Sequence, residues 1–256
     1  MENNYFVTIV TVCDNAEAIV ERTIKSVISQ TYKNIEYIIV DGKSTDETVV
    51  IAKRYQTLYP HIISVYSEKD AGIYDAMNKA LKIAKGDFIL YMNAGDLFYD
   101  ENVVGKCFSN KSINENTSAI FGDCCDIGNN KKLKYMKAKP FFLNKKKQLH
   151  YGFSHQSIFF RIDKAQENPY DLRYKVASDY DCIKRIYETN PNFLYVPIPI
   201  SIYETDNGFS AKNRGLALRE VIKITGYNKF ILLYLLPKIF IKKQIKTFLQ
   251  TLNLID

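Results

Sequence analysis

Three times in the first 92 residues a short, uninterrupted apolar run gives way to a stretch with helical spacing, and this alternation constrains the fold more than any other feature of the chain. Phe6 to Val12 is β-branched and apolar, and Val20, Ile24, Val27 and Ile28 follow on one helical face. Glu36 to Val40 ends at Asp41 and precedes Ile51, Tyr55, Leu58 and Tyr59, with Pro60 closing that helix. Ile62 to Tyr66 precedes the stripe Tyr74, Met77, Leu81 and Ala84, and Phe88 to Met92 supplies a fourth strand. Apolar runs this short, bounded by turn signals, read as strands buried on both faces of a parallel sheet. Three consecutive βα units require right-handed crossovers, so the expected class is α/β, a mostly parallel sheet flanked by helices. Two pairs at capping-box spacing, Asp14 with Glu17 and Ser44 with Glu47, are expected to open the first two helices.

In open α/β sheets the ligand sits beyond the carboxyl ends of the strands. The stretch from Lys85 to Asp96 enters the fourth strand from Gly86, read as the end of the third helix, and leaves it at Asn93-Ala94-Gly95-Asp96. Asp96 would project a hard oxygen ligand into the crevice, as a metal bridging two phosphates requires; the other reading is a loop aspartate capping the next turn.

A chain of 256 residues can bury a full core. Its five cysteines form no CxxC pair, and the adjacent Cys124 and Cys125 are badly placed to bridge each other, which points to reduced thiols in a cytoplasmic protein. No signal peptide is read before the first strand, and no apolar run reaches the roughly 18 residues that span a bilayer. Charge is unevenly placed. Residues 1–210 carry 26 Lys and Arg against 26 Asp and Glu, whereas residues 211–256 carry nine against two, so the net +7 lies in the tail. A neutral body argues against nucleic-acid binding, and the cationic tail suggests contact with an anionic membrane surface at its inner face. In that tail Phe230, Ile231, Leu232, Leu233, Leu235 and Leu236 precede Lys238, Lys242, Lys243 and Lys246, the pattern of a helix lying among headgroups. A helix packed on the domain or on a second subunit is the alternative.

After Asp96 the alternation loosens. Ala119 to Gly122, Ser157 to Phe160 and Phe193 to Ile198 read as strands and Tyr180 to Tyr187 as a helix, while Lys131 to Lys147, with eight lysines, reads as a solvated loop. Beyond Gly208 the pattern is helical and basic, interrupted by Gly226 and Pro237. No internal repeat or domain linker is seen.

Several ordered motifs together resemble the family 2 glycosyltransferases of the GT-A fold. They are Thr11-Val12-Cys13-Asp14-Asn15-Ala16-Glu17, Asp41-Gly42-Lys43-Ser44-Thr45-Asp46, Gly72-Ile73-Tyr74-Asp75-Ala76-Met77-Asn78, the Asn93 to Asp96 block, His155-Gln156-Ser157 and Ala177-Ser178-Asp179-Tyr180-Asp181. The resemblance covers roughly residues 6 to 205. It implies a Rossmann-like GT-A domain over residues 1–210, and residues 211–256 are read from their own pattern as a basic amphipathic helical tail. It further implies transfer of a sugar from a nucleotide diphosphate donor, expected to be UDP-linked, to a hydroxyl of a glycan or glycolipid acceptor, with inversion in a single displacement.

The resemblance also assigns residues. Thr11, Val12, Cys13, Asp41, Asn78, Asn93 and Ala94 are implied nucleotide contacts, Asp96 the ligand of Mg²⁺ or Mn²⁺, and Asp179 the general base. A carboxylate at a strand end such as Asp41 can accept the imide N–H of a nucleobase, although it could instead cap the helix that Ser44 begins. The sequence departs from the family pattern at five positions. Cys13 stands where Tyr is usual, Asp14 where Asn is usual, Lys43 where Gly is common, and Asn93 and Gly95 where Asp is frequent, leaving Asp96 as the one carboxylate of the metal motif. A divalent ion can draw its other ligands from diphosphate and water. His155 is a candidate second ligand or acceptor contact, without a His or Cys spacing to support it. Asp181 competes with Asp179 for the base role, and both could simply favour a helix amino terminus. A sugar nucleotidylyltransferase lacks support, because the Gly-rich, Arg-containing loop that holds a triphosphate is absent; a nucleotide-sugar-binding protein without turnover stays in view.

Overall fold

The computed structural model describes residues 4–109, 113–127, 132–143, 149–152, 154–203 and 209–226. The expected alternation opens the chain: β1 (Val7–Cys13), α1 (Val20–Ile28), β2 (Ile35–Asp41), α2 (Thr48–Leu58), β3 (Ile63–Ser67), α3 (Ile73–Ile83) and β4 (Phe88–Tyr91). There follow β5 (Leu97–Phe98), α4 (Val103–Phe108), β6 (Ala119–Ile127), β7 (Leu133–Met136), β8 (Lys139–Leu143) and β9 (Leu149–Gly152). A short 3₁₀ turn at His155–Ser157 leads into β10 (Ile158–Arg161), α5 (Ile162–Glu167), α6 (Ser178–Thr189), β11 (Phe193–Tyr203), α7 (Phe209–Lys212) and α8 (Arg214–Thr225).

The main sheet runs β3-β2-β1-β4-β10-β6-β11-β5, with β7 paired to β6. β1, β2, β3 and β4 are parallel neighbours, whereas β10 enters antiparallel to both β4 and β6. Because strand side chains alternate, the apolar runs feed two cores. Val7, Ile9, Phe88 and Leu90 face one layer with Val20, Ile24 and Val27 of α1; Val10, Val12, Ile89 and Tyr91 face the other with Met77 and Leu81 of α3. That two-sided burial is the physical reason for the uninterrupted runs.

Four local expectations are corrected. Neither capping pair caps a helix: α1 and α2 begin at Val20 and Thr48 without a side-chain cap bond. The pairs clasp each other instead, Glu47 N donating to Glu17 Oε2 at 2.9 Å and Glu17 N donating to Asp46 Oδ2 at 3.1 Å, which ties the loops after β1 and β2. Gly86 does not end α3, which stops at Ile83 with Ala84 as its cap. A Cβ at Gly86 would lie 2.7 Å from Thr8 N and 2.8 Å from Phe6 O, so close packing on β1 requires a glycine. Within the lysine-rich stretch β7 and β8 are strands, and β7 is tied to β6 by a hydrogen bond from Tyr135 to the buried Asp123. Ser157, expected to open a strand, closes the 3₁₀ turn.

All five cysteines are free and buried. Among the described residues no helix is long and apolar enough to cross a membrane. The apolar and basic run from Phe230 to Lys246 lies outside the described residues.

Candidate active site

The sheet order reverses at β1, between β2 and β4, so a crevice opens beyond the carboxyl ends of β1 and β4. Asp41 ends β2 opposite Cys13 and is fully buried. Its Oδ2 accepts from Lys43 N and Ser44 N, both at 3.0 Å, and from Ser67 Oγ at 2.6 Å, while Oδ1 accepts from Ser44 Oγ. Four donors converge on the carboxylate, which knots the turn after β2 beneath the crevice. The helix cap that the sequence left open to it is not made, since α2 begins only at Thr48 without a side-chain cap bond, and the carboxylate holds the turn instead. The turn passes through Lys43 at φ 69°, a left-handed conformation that favours glycine, which accounts for the glycine common there in the family pattern. Thr11 is likewise inside, its hydroxyl donating to Met92 O at 2.6 Å and meeting Tyr37 Oη at 2.8 Å. Burial, with Asp41 and Asp14 beside it, holds the Cys13 thiol protonated, well above its ordinary range.

Past β4, Asn93 to Asp96 form a tight turn in which Asp96 N donates to Asn93 O at 2.9 Å. Gly95, at φ 101°, donates to Thr23 Oγ1, which in turn donates to Asp96 O, both at 2.9 Å. Asp96 is 9% exposed. Burial pushes its carboxyl up to about 7, against the opposing pull of Gln156, Arg22 and the Asn93 amide. In the same turn Asn93 Oδ1 is buried without a hydrogen-bond partner. A carboxyl short of counter-charge and an orphaned amide oxygen are both hard donors of the kind Mg²⁺ or Mn²⁺ takes, so this turn fits a divalent cation. Among the described residues no group of three His, Cys, Asp or Glu does so.

Asp179 stands in the first turn of α6, half-buried. Its Oδ1 accepts from Tyr180 N at 2.8 Å and from Tyr74 Oη at 3.2 Å, and the same hydroxyl donates to Val176 O at 2.8 Å. Asp181, its rival, pairs with Arg185 at 2.8 Å. Asn78 exchanges two hydrogen bonds with the backbone of Tyr170, at 2.8 and 2.9 Å, and so anchors the segment before α6. His155 stacks on Tyr91 with centroids 5.7 Å apart, and its Nε2 meets Tyr170 Oη at 2.7 Å. Burial lowers its pKa, opposed by Asp179, and the ring packs among Tyr91, Phe160 and Tyr170.

A cleft of about 670 Å³ occupies the crevice. From β1 it takes Val12, Cys13 and Asp14, from the start of α3 the run 70–76, from the segment before α6 Leu172, Tyr174 and Lys175, and from α8 Leu216. Its size suits a nucleotide-sized ligand. Of the residues selected from the sequence, Val12 and Cys13 line the cleft, Thr11 and Asp41 are buried next to them in β1 and β2, Asp179 is one hydrogen bond behind Tyr74, and Asn78, Asn93, Ala94 and Asp96 are not among its lining residues. Tyr74 stands in the sequence as part of the α3 stripe and of the Gly72 to Asn78 motif without a role of its own, and nothing local marks Tyr174, Lys175 or Leu216.

The profile of glycosyl transferase family 2 matches residues 8–177. A PGL/p-HBAD biosynthesis glycosyltransferase of Mycobacterium bovis is 28% identical over 199 residues, 77% of this chain and 75% of its own length. An uncharacterized glycosyltransferase of Mycobacterium tuberculosis is 31% identical over 184 residues, 70% of this chain and 68% of its own. The amylovoran biosynthesis glycosyltransferase AmsB of Erwinia amylovora is 27% identical over 221 residues, 80% and 71%. Among solved structures, the mannosyltransferase PcManGT of Pyrobaculum calidifontis, in complex with GDP-Man and Mn²⁺, superposes with a TM-score of 0.66 at 14% identity. The match covers 86% of this chain and 63% of that one. S. aureus TarS 1-349 in complex with UDP gives 0.62 at 14% identity, covering 86% of this chain and 64% of that 1-349 chain. The fold is therefore GT-A, and with the family profile spanning most of the domain around this cleft, the chain belongs to glycosyl transferase family 2.

Proposed function

We propose that this glycosyltransferase takes its sugar from a nucleoside diphosphate donor, UDP-linked, and transfers it with inversion to a hydroxyl of a glycan or glycolipid. The observation that supports the reading is the 3.2 Å hydrogen bond from Tyr74, which lines the cleft beyond β1, to Asp179 behind it. The acceptor oxygen attacks the anomeric carbon as its proton passes to the Asp179 carboxylate. The bond from that carbon to the phosphate oxygen breaks, and the diphosphate departs with the electron pair. Val12 and Cys13 border the nucleotide, and Asp41 holds the turn beneath it. Asp96 and Asn93 would hold Mg²⁺ or Mn²⁺, which when bound offsets charge on the departing diphosphate. Supporting the donor class, related folds carry GDP-Man with Mn²⁺, UDP and UDP-GlcNAc, and relatives are named for PGL/p-HBAD and amylovoran biosynthesis. The basic segment 211–256 would bring the enzyme to an anionic membrane face, where each cation is worth about 1 kcal/mol.

A thermal-shift screen of UDP and GDP, each with and without Mn²⁺, tests the reading, since a ligand that binds only the folded state raises its stability. UDP with Mn²⁺ should give the largest shift, and no shift with either nucleotide would sink the proposal. The single acidic side chain of the metal turn favours a second reading, a nucleotide-sugar-binding protein without turnover. Mn²⁺-dependent hydrolysis of a UDP-sugar separates the two.

A further inference from the structure

The described part of the chain beyond the family match is not a passive appendage. Three side chains of α8 at helical spacing, Leu216, Glu220 and Lys223, all meet the segment that leads into α6 or the cleft it borders. Leu216 lines the cleft, and the Lys223 ammonium lies 5.7 Å from the Tyr174 ring centroid. Glu220, 8% exposed, accepts three consecutive backbone amides. Its Oε1 takes Lys175 N at 2.8 Å, and its Oε2 takes Val176 N and Ala177 N, both at 2.9 Å. Ala177 is the cap residue just before α6, two residues before Asp179. The Val176 carbonyl, on the other side of the same turn, accepts the Tyr74 hydroxyl that also reaches Asp179.

We propose that Glu220 is a positioning residue for the transfer reaction: its carboxylate fixes the turn 175–177, and so sets where Asp179 stands relative to the cleft. A carboxylate accepting three amides is a charge-assisted clamp, stiffer than the neutral hydrogen bonds a loop would otherwise make. The inference rests on the reading of Asp179 as general base. A shift of about 1 Å in a reacting group can cost on the order of 100-fold in rate. Releasing three amides should therefore act on turnover far more than on nucleotide binding.

The test compares Glu220→Ala and Glu220→Gln in the full chain, and also in the Asp179→Asn background. Turnover is measured on whichever of UDP-glucose, UDP-galactose, UDP-GlcNAc and UDP-GalNAc the wild type consumes fastest, and UDP binding by calorimetry. Glu220→Ala should lower kcat about 10- to 100-fold with the Kd of UDP changed less than about threefold. Glu220→Gln, which keeps one acceptor oxygen, should recover part of the loss and serves alone if the alanine variant does not fold. In the Asp179→Asn background neither change should lower kcat further, because residues acting as one unit are not additive. Normal kcat in a folded Glu220→Ala or Glu220→Gln variant, with Asp179→Asn impaired, overturns the role of Glu220 and leaves the base assignment standing. Multiplicative losses in the double variants overturn it too. Normal turnover by Asp179→Asn overturns the base assignment, and with it this inference.

Discussion

Asp179→Asn is the substitution that most sharply tests the chemistry. Asparagine keeps an oxygen where Oδ1 accepts from Tyr180 N at 2.8 Å and Tyr74 Oη at 3.2 Å, so both hydrogen bonds can persist. What the fold loses is a negative charge at the amino terminus of α6, worth about 0.3–1 kcal/mol. What the reaction loses is the proton acceptor, worth about 10²- to 10⁴-fold, or roughly 3–5 kcal/mol of barrier. The loss of rate should therefore exceed the loss of stability several-fold, with UDP affinity unchanged. Asp181→Asn is the matched control. It removes a first-turn charge of the same helix, worth about 0.3–1 kcal/mol, and its ion pair with Arg185, worth about 0.5 kcal/mol, and should leave kcat near normal. Steady-state kinetics of both variants beside chemical denaturation supply the comparison. If Asp179→Asn turns over normally, or only Asp181→Asn is impaired, the assignment is refuted.

The Asp96 carboxyl, pushed up to about 7, keeps a proton in the folded metal-free chain that the unfolded chain gives up near pH 4. Stability should accordingly fall as pH rises from about 4 to about 7, and Asp96→Asn should flatten that slope in melts run with chelator; an unchanged slope would contradict the burial argument. Gly86→Ala forces a Cβ against the backbone of β1 and should cost about 1–3 kcal/mol by denaturant titration, whereas a neutral effect would show that β1 can yield there. Tyr74→Phe leaves the Val176 carbonyl without its 2.8 Å donor and loosens Asp179. A stability loss of about 1–2 kcal/mol together with a fall in kcat is expected, and a stability loss alone would detach Tyr74 from the reaction.

The sequence by itself determined the βα half of this protein. β1, β2 and β4 are apolar runs buried on both faces, β3 at the sheet edge is buried only at its start, and α1 and α3 bury the stripes read from their spacing, because periodicity and turn chemistry are written within a few residues of one another. The order of the motifs was enough to point to the family and to Asp179. Only the tertiary structure decided what those residues touch. The apparent capping pairs clasp across 30 residues, Asn78 finds its partners 92 residues away at Tyr170, and Glu220 reaches back more than 40 residues to the turn before α6. The antiparallel entry of β10 between β4 and β6 has the same character. A hydrogen bond between distant residues depends on where the sheet order and helix packing carry two backbones, and no local pattern of side chains encodes that meeting. For this reason Asp179 and Asp181 are near-equals in the sequence, while in the fold one is held by Arg185 and the other by a tyrosine of the cleft wall.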